Sequence, residues 1–222
     1  MKKLPIALLI AASAFLAGAA HGQEAGTFSV KLGWNKIMPK VRSGDLSPPS
    51  LPDSKIDIRS ASALYFTGAY MLTDAIALEA LAGLPYKHTV VGAGSAAGAG
   101  RIGSIHQVSP TLLLEYRFLE AAAPLRPYLG AGVTYAKFYK TEGSAALTAV
   151  TNAGGPPTTI GGDHEWGGTV AAGLRYRIDS HWFLDAAAFK TWIKTEAPLS
   201  TGQGIKANLD PVSLNASIGY TF

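Results

Sequence analysis

The eleven residues at 212–222, V-S-L-N-A-S-I-G-Y-T-F, constrain the fold more than any other stretch. Val212, Leu214, Ala216, Ile218, Tyr220 and Phe222 fall on one face; Ser213, Asn215, Ser217, Gly219 and Thr221 fall on the other. A repeat of two marks a strand with one apolar and one polar or small face. Similar segments recur along the chain. A bilayer-spanning sheet must pair every backbone amide internally, so it closes into a barrel, apolar face to lipid. Tyr220 and Phe222 are read as the signal of the barrel-closing strand, and the barrel-assembly machinery is an expected partner.

Residues 1–20 read as a secretory signal. Lys2 and Lys3 form the basic start, residues 4–16 the apolar run, and Gly18, Ala19 and Ala20 a cleavage zone. The run is shorter than the roughly 20 residues a spanning helix needs. Residues 21–222 then form one barrel domain. Loss of Lys2 and Lys3 lowers the formal charge from +4 by two, so basicity is a weak argument for nucleic acid, and no nucleic-acid partner is expected. Cysteine is absent, which excludes disulfides and thiol chemistry.

Period-two segments predict eight strands, at 27–36, 59–70, 75–84, 105–118, 126–140, 166–178, 181–195 and 212–222. Segments 38–57, 86–104, 141–165 and 196–206 read as long loops, the second with a flexible 92–100 stretch. The connections between are short. Long outer loops alternating with short periplasmic turns suit an all-β, eight-stranded antiparallel transmembrane barrel. Eight short strands alone also fit a sandwich or a lipocalin-like barrel. Aromatic placement favours the membrane. Phe28, Tyr70, Tyr116, Phe118, Tyr176, Trp182, Tyr220 and Phe222 fall at the periplasmic end, and Trp34, Tyr86, Tyr135, Tyr139, Trp166 and Trp192 near the outer end. Two such girdles flanking an aliphatic band match the two interfaces of a bilayer.

Several segments resemble the outer-membrane protein W (OmpW) family. They are Ser109-Pro110-Thr111-Leu112-Leu113-Leu114, Arg126-Pro127-Tyr128-Leu129-Gly130-Ala131-Gly132-Val133, and Leu209-Asp210-Pro211 leading to Gly219-Tyr220-Thr221-Phe222. Glu24-Ala25-Gly26, Tyr70-Met71-Leu72-Thr73-Asp74 and Leu84-Pro85-Tyr86-Lys87-His88 fit as well. The match runs in order through nearly the whole mature chain and is least in the first and third long loops. The resemblance implies an eight-stranded outer-membrane barrel with a narrow apolar channel, associated with passage of small hydrophobic molecules.

The polar faces place Glu79, Glu115, Arg117, Arg175, Arg177 and Asp185 inside, mostly toward the periplasmic half. Side chains fill a barrel of eight strands, and buried charges must pair, so these six are expected to form a salt-bridged plug rather than an ion path. Nearer the outer mouth, Leu81, Leu113, Phe138 and Phe189 project inward, either as core filling or as the wall of an apolar funnel. Pro85 and Pro110 sit on neighbouring strands near their outer ends. Proline lacks the amide a ladder needs, so the pair either terminates pairing or marks a lateral opening.

No catalysis, cofactor or metal is expected. His88, His106, His164 and His181 lack ligand spacing such as H-E-x-x-H, and Asp163-His164-Glu165 reads as a solvated loop. The glycines at 92–100 precede no helix and lack the Lys-Ser/Thr of a phosphate loop. An outer-membrane phospholipase or protease would need a Ser/His/Asp arrangement that the spacing does not offer. Expected partners are outer-membrane lipid, lipopolysaccharide and small hydrophobic molecules. The expected location is the cell outer membrane, and the alternative function is a sealed structural barrel that binds through its loops.

Overall fold

The computed structural model describes residues 23–50 and 52–222. The proposed signal at 1–20 lies outside the described residues. In chain order the strands are β1 (Phe28–Met38), β2 (Arg42–Ser43), β3 (Ser54–Ile58), β4 (Ala61–Met71), β5 (Ile76–Gly83), β6 (Tyr86–Gly94) and β7 (Arg101–Val108). They continue as β8 (Thr111–Arg117), β9 (Leu125–Gly143), helix α1 (Ala145–Thr151), β10 (His164–Arg177), β11 (Trp182–Trp192), β12 (Lys194–Pro198), β13 (Gly204–Asn208) and β14 (Val212–Thr221).

The wall runs β1-β4-β5-β8-β9-β10-β11-β14, each pair antiparallel. It closes where β14 meets β1, from Ser29 opposite Thr221 to Met38 opposite Val212. The eight-stranded barrel is therefore complete, and its wall leaves no long open edge. Consecutive side chains alternate across that wall. Leu32, Leu112, Leu114, Leu184 and Ile218 are exposed on the outer face, while Glu115 and Arg175 are buried inside. This is the arrangement a bilayer demands and the reverse of a soluble barrel.

Short turns close one end. Leu72 and Thr73 both donate to the Ile76 carbonyl, and Asp179 accepts amides from His181 and Trp182. The aromatics expected at this end cluster around the seam: Phe222 stacks on Phe28 at 5.9 Å and packs against Tyr220 at 5.1 Å. At the outer end Tyr135 and Trp166 are neighbours at 5.0 Å. Tyr86 departs from the expected girdle, because its ring is buried inside.

The outer segments are more ordered than their composition implies. Residues 86–104, expected as a loop with a flexible 92–100 stretch, form the β6–β7 hairpin joined through a short 3-10 turn at Ala97–Ala99. Residues 196–206 belong largely to the β12–β13 hairpin, and 38–57 contains β2 and β3. Segment 141–165 carries α1, whose first turn is capped by Ser144 Oγ accepting the Leu147 amide at 3.2 Å. Apolar side chains drive this. Leu46, Val90, Ile102, Leu147, Ile160, Leu199 and Ile205 come from all four segments and form one buried cluster outside the membrane.

Candidate functional site

The lower lumen is filled by charge. Lys31 Nζ lies 2.9 Å from Glu79 Oε2 and 3.1 Å from Asp185 Oδ1. Tyr128 donates its hydroxyl to the same Asp185 oxygen at 3.1 Å, and Arg175 Nε stands 3.8 Å from Asp185 Oδ2. Arg117 holds Glu115 Oε2 through both Nε and Nη2, at 3.3 and 3.0 Å. Three acids thus meet three bases, all buried. Breaking such a pair leaves an uncompensated charge, so the network is a rigid stopper.

Arg126 seals the floor beneath it. Its guanidinium donates to the carbonyls of Asp74 (2.7 Å), Phe118 (3.1 Å) and Leu119 (3.1 Å), and more weakly to those of Arg117 and Gln23. The plug expected from sequence needs two amendments. Arg177 turns to the Ala122 carbonyl at the periplasmic rim instead of joining the ion pairs. Lys31, Arg126 and Tyr128 were not in the expected set, although each shares the inward parity of its strand. Tyr128 lies flat over Gly173, where an added Cβ would come within 2.2 Å of the ring.

Above the plug the lumen is not the wholly apolar funnel expected. Four threonines on β8, β9, β10 and β11 form a hydroxyl belt: Thr111–Thr134 at 2.8 Å, Thr134–Thr169 at 2.6 Å and Thr169–Thr191 at 3.0 Å. They line a cavity of about 40 Å³ together with Leu81, Phe189, Ile193, Asn35 and Asn215. The four expected funnel residues therefore separate. Leu81 and Phe189 border the cavity; Leu113 is fully buried beneath it, packed with Tyr65 and Tyr128. Phe138 sits nearer the outside, in a cluster with Ile58, Ile193 and Leu209.

The wall is interrupted beside this cavity. β5 pairs with β8 from Ile76 opposite Tyr116 to Leu81 opposite Thr111. Pairing resumes between β6 and β7 at Tyr86 opposite Gln107. Between those two points residues 82–85 and 108–110 are not paired with each other among the described residues, although Ala82 and Gly83 still pair with β4 and Val108 with β9. Pro85 and Pro110 fall in this gap, and neither has an amide to donate. On the lipid side lies an apolar recess of about 710 Å³, walled by Phe66, Ala82, Pro110, Leu112, Val133, Tyr135 and Trp166. Leu81 and Thr111 line both the recess and the lumen cavity. Pro85 is not one of the recess walls.

A third space lies outside the membrane. About 60 Å³ is enclosed by Leu46, Ile56, Val90, Ile102, Ile105, Leu147, Ile160, Leu199 and Ile205, an almost purely apolar lining. The three spaces share walls in sequence. Ile105 borders the outer cavity and packs on the Phe138 cluster, Ile193 belongs to that cluster and lines the lumen cavity, and Leu81 and Thr111 lead to the recess.

The OmpW family model matches residues 24–222. The chain belongs to the OmpW family. It is 30% identical to outer membrane protein W of Salmonella typhi over 228 residues, covering all of both chains. It is 29% identical over 180 residues to the dibenzothiophene metabolism operon protein PahQ of Pseudomonas aeruginosa, covering 80% of this chain and 79% of that one. The crystal structure of the outer membrane protein OprG from Pseudomonas aeruginosa superposes with a TM-score of 0.81 at 25% identity, over 91% of this chain and 98% of that one. Membership in the OmpW family places the barrel in the outer membrane of a Gram-negative cell, with its outward leucines in lipid.

Proposed function

We propose that this barrel admits small hydrophobic molecules at the outer cavity and releases them sideways into the bilayer through the unpaired wall between Leu81–Thr111 and Tyr86–Gln107. One observation supports the reading: the β5–β8 ladder stops at Leu81–Thr111, just above the charged plug that fills the axis, and cross-strand pairing resumes only at Tyr86–Gln107. The shared walls of Ile105, Phe138, Ile193 and Leu81 give an apolar molecule contacts along the route. The name of PahQ attaches that relative to an operon for an apolar sulfur heterocycle, which supports the substrate class.

No bond is made or broken. The driving force is removal of apolar surface from water, roughly 25 cal/mol per Å². The barrel's contribution is a path past the polar lipopolysaccharide zone. The test is transfer of an apolar fluorescent probe into vesicles with a lipopolysaccharide outer leaflet, with and without the protein. Faster transfer with the protein is expected.

The small volumes of the outer and lumen cavities favour a second reading, a sealed barrel that binds partners through its outer hairpins. Probe transfer unchanged by the protein is the result that reading requires.

A further inference from the structure

The lumen cavity offers more hydrogen-bond acceptors than a path for pure hydrocarbons needs. Thr111 also reaches the Ser109 carbonyl with its hydroxyl at 3.3 Å, and that bond favours one sense for the belt. In that sense Thr134 donates to Thr111, Thr169 to Thr134 and Thr191 to Thr169, each hydroxyl having one proton to give. In the same sense Thr191 Oγ1, at the end of the belt, is left as an acceptor. Asn35 and Asn215 face each other across the β1–β14 seam. Both line the cavity at 5% and 6% exposure, and neither Oδ1 atom has a hydrogen-bond partner among the described residues. Buried acceptors without donors are rare in folded proteins and call for a partner.

We propose that this cavity recognises the hydroxyl of an amphipathic molecule, an aliphatic or aromatic alcohol, whose apolar remainder lies in the wall recess beyond Leu81 and Thr111. The inference rests on the side exit proposed above and adds a substrate class to it. The geometry suits a head-and-tail ligand. About 40 Å³ accepts a hydroxyl and its adjoining carbon but no ring, whereas the recess is large and apolar. Leu81 and Thr111 stand at the junction of the two. A neutral donor fits better than an ammonium, because the three acids of the plug below are already matched by three bases. The hydroxyl donates to an Asn or Thr191 oxygen, and no proton leaves the ligand.

The test uses the full barrel in lipid nanodiscs with two probes of equal length, 1-octanol and n-octane. Binding is followed by nuclear magnetic resonance contacts to the Thr134 and Thr191 methyls and by shifts of the Asn35 and Asn215 side-chain amides. Octanol is expected to bind about tenfold more tightly than octane at these positions. Asn215→Leu is expected to weaken octanol binding several-fold while leaving octane unchanged. Thr191→Val removes the Thr191 acceptor with little change of shape and serves, with the same expected loss, if Asn215→Leu does not assemble. Equal binding of the two probes, equal loss of both in the variants, or water contacts alone at Thr191 would overturn the proposal. Binding is read without a transport step. A barrel that prefers octanol but passes neither probe refutes the exit and upholds the site, and one that passes both probes while binding them equally does the reverse.

Discussion

Lys31 and Leu32 are adjacent in the chain and lie on opposite sides of the barrel wall. Lys31, 4% exposed, meets Glu79 and Asp185 inside; Leu32, 58% exposed, projects from the outer face between the Phe28 and Trp34 levels. The same strand thus carries a charge where it is paired and a leucine where lipid is expected. Leu32→Arg would place an unpaired cation near the middle of the apolar band. It should cost about 2–4 kcal/mol in reversible unfolding from vesicles. Leu32→Phe should be close to neutral in the same assay.

Asp185 is the hub of the plug, touched by Lys31, Tyr128 and Arg175. Asp185→Ala leaves two bases competing for what remains. A stability loss of about 3–5 kcal/mol is expected, the range for removing one member of a buried pair. Heat-modifiable gel migration should then show the folded band lost at a lower temperature. Arg177→Ala, whose side chain reaches only the rim, should shift that temperature far less.

Much of this was legible in the sequence because a barrel wall obeys one rule, alternation, and alternation needs no tertiary information. It puts Leu112 and Ile218 on the outer face and Glu115 and Asp185 inside, and the same parity carries Lys31 and Tyr128 inward. The outer region was not legible. In 86–104 the buried series Tyr86, His88, Val90 is followed by glycines, and glycine content looks like a loop when no packing partner is visible. Those partners, Leu147, Ile160 and Ile205, lie far away in the chain. The hydroxyl belt was hidden for the same reason: Thr111, Thr134, Thr169 and Thr191 each look ordinary until strand register brings them together.

Phe138 stands between the outer cavity and the lumen, packed with Ile193 and Leu209. A molecule on the proposed route must displace it. Phe138→Ala should therefore accelerate probe transfer several-fold while lowering stability by about 3–5 kcal/mol, the usual cost of truncating a buried phenylalanine. Stopped-flow fluorescence on vesicles separates the two effects. Slower transfer in a correctly folded variant would count against the route.

His88 sits in the outer hairpin, its Nδ1 2.9 Å from the Arg59 carbonyl and its ring 6.3 Å from that of Tyr86. Burial holds the imidazole below its ordinary value, opposed in part by the hydrogen bond with the Arg59 carbonyl. A depressed histidine is neutral in the fold and takes up its proton first in the opened state. Its contribution is complete above about pH 6.5, the unfolded value, and declines as pH falls toward the folded one. Protease cleavage of the β6–β7 hairpin should rise between pH 7 and pH 5, and His88→Gln should flatten that dependence.

The side exit is tested most directly by closing it. The chain has no cysteine, so Ala82→Cys with Pro110→Cys, two walls of the same recess, gives one unique pair across the gap for a short bis-maleimide. Transfer of an apolar probe into vesicles with a lipopolysaccharide outer leaflet should fall to the protein-free rate in the bridged barrel and persist in the same variant capped with a monofunctional maleimide. Undiminished transfer through the bridged barrel would contradict release through this wall.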